Sequence, residues 1–164
     1  MDENYIVING KRTELTDEQL KALGIEIRKN PFERCAIGEK YVTILANSSI
    51  REFFDNNTPR DNDVYSVANY FNDETFAKQL ALHQLLYRKL LKFAYDNRCE
   101  ASATWDGNEA HYSINYVAKQ DEFIVVFDSM VKSTAVYFCS EHAANTAIND
   151  VIFPFIAEHP EFIW

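Results

Sequence analysis

A chain of 164 residues, 47% hydrophobic and 25% charged, has the composition of a soluble globular domain, which excludes a disordered segment and a membrane span. At this length one domain buries roughly 70% of the surface its unfolded chain exposes, so no metal or disulfide staple is required. The net charge of −9 disfavours non-specific attraction to nucleic acid or to an anionic membrane.

The opening Met1-Asp2-Glu3-Asn4 lacks the basic and apolar stretches of a secretory signal, so the cytoplasm is the expected compartment. Tyr5-Ile6-Val7-Ile8 before Asn9-Gly10 predicts an N-terminal hairpin, because Asn-Gly supplies the two positive φ angles of a type I′ turn. Thr16 and Gln19 form a capping-box pattern, and Gly24 stands where a helix ends, which predicts a short helix from Asp17 to Leu23. Residues 25–40, with Asn30-Pro31 and Gly38, read as a connection and as the candidate joint within a single domain spanning 1–164.

Lys40 to Ala46 and Ser49 to Phe54 are β-rich runs on either side of Asn47-Ser48, which predicts a second hairpin. Asp55 to Asp63 is turn chemistry throughout and reads as an exposed loop. Asn72 is the expected N-cap of a long central helix ending near Asn97. Its expected apolar face includes Phe76, Leu80, Leu82, Leu86, Tyr87, Leu90, Leu91, Phe93 and Ala94. Lys78, Arg88, Lys89, Lys92 and Asp96 share the wet arc, and His83 projects into the apolar one as an expected core histidine.

Alternation at Tyr112, Ile114 and Tyr116, then Phe123, Val125 and Phe127, then Val136 and Phe138, predicts a three-stranded antiparallel meander. Ser140 is the expected cap of a C-terminal helix that Pro154 kinks or ends, and the apolar tail Phe162-Ile163-Trp164 is expected to dock on the core. The fold class is therefore α+β. Cys35, Cys99 and Cys139 are odd in number and form no C-x-x-C pair, so three reduced thiols are expected.

No dinucleotide or phosphate loop, metalloprotease motif, nucleophile elbow or calcium loop is present, and glycine is scarce at four residues. The four histidines share no ligand spacing. The acidic residues Asp106, Glu109, Asp121, Glu122 and Asp128 read as solvated turn residues and not as an acid–base pair. No catalytic residue, metal site or cofactor is therefore expected. Charge is unevenly spread: Glu74 to Arg98 holds five basic against two acidic residues, a net +3, which leaves −12 for the rest of a chain of net −9.

Ile8-Asn9-Gly10-Lys11, Asn30-Pro31-Phe32-Glu33-Arg34, Val67-Ala68-Asn69-Tyr70-Phe71, Val136-Tyr137-Phe138-Cys139-Ser140-Glu141 and the ending Glu158-His159-Pro160-Glu161-Phe162-Ile163-Trp164 run nearly the length of the chain. In these segments the chain resembles a broad group of small accessory proteins carried by phages and prophages of Gram-positive bacteria. The resemblance implies a non-enzymatic binder of a host factor, with inhibitors of CRISPR nucleases a prominent class. The first expectation is thus a phage-derived inhibitor that binds a host defence protein, such as a Cas nuclease, through acidic Asp55, Asp61 and Asp63. The runner-up is a nucleic-acid-binding accessory protein using Arg88, Lys89 and Lys92. Third is a protein that sequesters a nucleotide signal or other small molecule in an aromatic-lined pocket.

Overall fold

The computed structural model describes residues 5–8, 10–24, 30–99 and 105–164. Among these described residues, twelve segments of regular structure follow in chain order. The first hairpin pairs β1 (Tyr5–Ile8) with β2 (Lys11–Glu14) antiparallel, and Gly10 takes φ +77°, the conformation that turn needs. Helix α1 (Asp17–Ala22) is held by the reciprocal bonds of its capping box: Thr16 N–H donates to Gln19 Oε1 at 2.9 Å, and Gln19 N–H to Thr16 Oγ1 at 3.3 Å. Residues 25–29 of the candidate joint lie outside the described residues; residues 30–39 are turns and irregular chain.

The second hairpin pairs β3 (Lys40–Ile44) with β4 (Ile50–Phe54), closing at Ser48 with φ +65°. The exposed loop expected at 55–63 is instead half helix. Thr58 caps α2 (Pro59–Ser66), Pro59 occupies the first turn, and Asp61 at N3 completes a capping box. Helix α3 (Glu74–Asp96) begins one residue later than expected, because the Asp73 carboxylate and not Asn72 accepts from Phe76 N–H. Asn72 faces the connection instead, and its amide donates to the carbonyls of Asn30 and Glu33 at 3.0 and 2.9 Å.

The buried edge of α3 is narrower than its apolar arc. Ala77, Ala81, Leu86, Leu90 and Ala94 are buried, whereas Tyr87 and Leu91 stand 45% and 37% exposed. The small alanines set this line, since they let neighbouring backbone approach closely. β5 (His111–Val117) and β6 (Glu122–Asp128) form the third hairpin. The third meander strand reduces to a single bridge in which Tyr112 and Phe138 exchange backbone bonds of 3.1 and 2.7 Å.

Ser140 caps α4 (Glu141–Ala147). A π-helical turn, Ile148–Ile152, then feeds α5 (Phe153–Glu158), so Pro154 redirects the helix without ending it. The main core lies between α3, Phe138 and these last helices, with Ile152 and Phe155 sealed inside; a smaller one forms around Val42, Phe71 and Ala77. The tail docks through two of its three large apolar residues, Phe162 and Trp164, while Ile163 stays 69% exposed. Phe162 packs on Phe155 and His83 at ring distances of 5.3 and 4.7 Å, and Trp164 packs on Phe123 at 4.8 Å.

The expectation of three free thiols is corrected: Cys99, just past α3, and Cys139, beside the cap of α4, form a disulfide with Cα atoms 4.7 Å apart. Only Cys35 is a free cysteine among the described residues. Sequence spacing hides the pair because 40 residues separate partners that the fold brings together. Among the described residues no helix is long and apolar enough to cross a membrane.

Candidate functional site

Three groups of side chains stand out: the acidic residues before and within α2, the cations of α3, and a groove beside α3.

The acidic group turns inward. Asp55 is fully buried and Asp61 is 4% exposed; only Asp63 is exposed, which corrects the expectation of a solvated acidic loop. Burial of two carboxylates is tolerated because both are saturated with donors. Arg34 donates from Nε and NH2 to Asp55 at 2.7 and 3.0 Å, and the Tyr70 hydroxyl adds a bond of 3.0 Å. Asp61 accepts from the Tyr41 hydroxyl at 2.7 Å and from the N–H groups of Asn56 and Thr58 at 3.1 and 2.9 Å. Tyr41 and Tyr70 stack with ring centroids 4.1 Å apart, joining the two carboxylate clusters.

This knot shifts its own ionisation. The Arg34 guanidinium holds Asp55 below the ordinary carboxylate range, and the Tyr41 hydroxyl does the same for Asp61. Burial, helped by the Asp61 charge, pushes Tyr41 up to about 12. The arrangement is a structural lock for β3, β4 and α2. The sequence signal that reveals α2, though not the lock, is Thr58-Pro59-Arg60-Asp61, a capping box with proline in the first turn.

The cations of α3 face outward, as expected, but most have carboxylate company. Lys78 lies 2.6 Å from Glu74, Lys89 lies 3.8 Å from Glu158, and Lys92 pairs with Asp96. Arg88 differs, because its guanidinium donates to the neutral hydroxyl of Ser48 in the turn of the second hairpin. Three acidic residues of the meander region serve their own turns. Asp128 accepts from Met130 and Val131 N–H, Asp106 from Asn108, and Asp121 from the Tyr116 hydroxyl.

The groove beside α3 combines apolar walls with a few polar groups. Leu86 and Leu90 of α3 meet Ile114, Val136 and Phe138 across a space of about 540 Å³. Tyr87 and Trp164 flank it, and His83, Gln84 and Arg88 supply the polar groups. Its size falls in the range of small-molecule sites, which combine an apolar lining with a few placed polar groups. His83, expected in the core, is instead exposed on this groove, its ring against Phe162. The groove escapes sequence reasoning because its walls come from α3, β5, the bridge segment and the tail, and exist only after those elements pack.

Among the described residues no group of three or more histidine, cysteine or acidic side chains is arranged to hold a metal ion. Trp105 stacks on buried His111 with ring centroids 3.8 Å apart.

Comparison with protein families, with curated proteins and with solved structures found no match.

Proposed function

We propose that the chain is a binding protein that captures a small molecule stoichiometrically in the groove beside α3. The supporting observation is the groove itself: about 540 Å³, walled by leucine, isoleucine and aromatic side chains, with Arg88, His83 and Gln84 at its rim. The expected resemblance to phage accessory proteins fits such a role, since removing a host signal molecule disarms a defence without turnover. The test is native mass spectrometry of the purified protein after dialysis against the small-molecule fraction of host cells. One adduct per chain is expected, and Ala135→Phe, which fills the groove wall, removes it. No adduct, or one that Ala135→Phe leaves in place, overturns the reading.

A second reading is the phage-derived inhibitor that binds a host defence protein. It is favoured by Phe127, Met130 and Val131, which are 70%, 73% and 66% exposed at one end of the third hairpin. Retention of a host protein from nuclease-treated lysate, lost on Phe127→Asp and Met130→Asp together, supports it. The nucleic-acid reading draws less support, because two of its three cations, Lys89 and Lys92, sit beside carboxylates.

A further inference from the structure

Among the described residues the groove has one lysine or arginine at its rim, Arg88, and the state of that cation narrows the ligand. Helix α3 carries Lys78, Arg88, Lys89 and Lys92. Three of the four pair with carboxylates, and among the described residues Arg88 alone of this set is matched by a hydroxyl. A guanidinium presents five N–H donors in a planar fork, and a single bond to Ser48 leaves donors for a further acceptor. An ionised acceptor gains most from that fork, because charge-assisted, bidentate pairing is stronger than bonding to a neutral oxygen. Ser48 also steadies the guanidinium by tying it to the second hairpin, and less freedom is lost when a ligand arrives.

The rest of the lining is aromatic and aliphatic. Tyr87 and Trp164 line the groove and are 45% and 39% exposed, Trp164 resting on Phe123 at 4.8 Å, while Leu86 and Val136 are buried beneath. Flat rings suit such a floor, burying apolar area and stacking at once. Ligand charge is bounded from above as well. The chain carries −9, so a polyanion meets long-range repulsion that one local arginine does not offset, whereas a single negative group is held by short-range contact.

We propose that the groove takes a planar aromatic ligand bearing a single acidic group, with its rings against Tyr87 and Trp164 and the acid on Arg88. This rests on the capture reading above. The acid belongs at the Ser48 end of the groove, where the guanidinium is held.

Two dyes separate the parts of this claim: 1-anilinonaphthalene-8-sulfonate, an aromatic monoanion, and N-phenyl-1-naphthylamine, the same skeleton without the charge. Each is titrated by fluorescence into the full chain and its variants, with thermal melting confirming the fold. Both dyes are expected to bind once per chain, the sulfonate tighter by about tenfold, the size of one charge-assisted hydrogen bond. Arg88→Gln removes that preference while both dyes still bind, Arg88→Lys keeps part of it, and Ala135→Phe abolishes binding of both. Equal affinity for the two dyes, or a preference that survives Arg88→Gln, overturns the acidic-ligand claim while capture stands. Failure of both dyes to bind, or binding untouched by Ala135→Phe, overturns claim and capture together. If that failure is joined by a host protein whose retention Ala135→Phe abolishes, the groove belongs to a protein segment.

Discussion

Gln79 holds the backbone at Ile163: its Oε1 accepts from Ile163 N–H at 3.0 Å, while its Nε2 donates to the carbonyl of Glu161 at 2.7 Å. One amide side chain near the start of α3 thereby fixes the segment that carries Trp164 to the groove edge. More than 80 residues separate the partners, so the groove's aromatic wall depends on a long-range polar clamp.

Gln79→Ala removes both bonds. The tail is expected to loosen at a cost of about 1–2 kcal/mol in overall stability, since each partner is exposed enough to bond water instead. Trp164 then moves into water. Chemical denaturation reads the first effect and a red-shifted indole emission reads the second, whereas Gln79→Glu, which retains only the acceptor, is expected to fall between.

The buried knot sets the pH range of stability. Asp55 and Asp61 have folded pKa values depressed below the free value of about 3.9, so their stabilisation is present above that pH and is lost as pH falls through the folded values. Tyr41 has the opposite sign. Its folded value of about 12 lies above the free value of about 10, so its contribution is intact below the latter and disappears between the two. Unfolding free energy measured against pH is expected to drop below pH 4 and again above pH 10. Tyr41→Phe costs about 2 kcal/mol, the worth of a hydrogen bond to a charged group, and reduces the alkaline drop.

Leu86→Ala and Leu90→Ala, at positions 3% and 8% exposed, are each expected to cost about 2–5 kcal/mol through a core cavity. Lys89→Ala is expected to cost little, because its partner Glu158 is mostly exposed and the pair is screened. Denaturant midpoints that rank Lys89→Ala as the most damaging contradict the helix orientation.

Thiol titration of the denatured, unreduced protein is expected to find one thiol, Cys35, and three after reduction. Reduction of the Cys99–Cys139 link is expected to lower stability by up to about 4 kcal/mol, the loop-closure term for a loop of this size. Three thiols without reductant contradict the pairing.

Local signals in the sequence were dependable where one segment carries its own chemistry. Asn9-Gly10, Thr16 with Gln19, and Ser140 each marked an element boundary that packing did not override. Asn72 misled by one position because Asp73 offers a competing cap, and the longer-range demand on Asn72 from Glu33 decides between them. Asp55 and Asp61 look like solvent-facing turn residues in sequence, and only the arrival of Arg34 and the two tyrosines makes burial affordable. The helical projection puts His83 inward because α3 is apolar over more than half its circumference, yet the buried line runs through Ala77, Ala81, Leu86, Leu90 and Ala94 and leaves His83 exposed. The candidate groove was not legible at all, since its walls lie far apart in the chain.

The central claim is that the groove beside Trp164 is a stoichiometric binding site, and Trp164 itself reports on it. In Trp105→Phe, which leaves Trp164 as the sole indole, N-phenyl-1-naphthylamine is titrated at protein concentrations well above the dissociation constant. Quenching of Trp164 by energy transfer is expected to saturate at one dye per chain and to vanish in Ala135→Phe. Quenching that never saturates, or that persists unchanged in Ala135→Phe, contradicts a defined site in the groove.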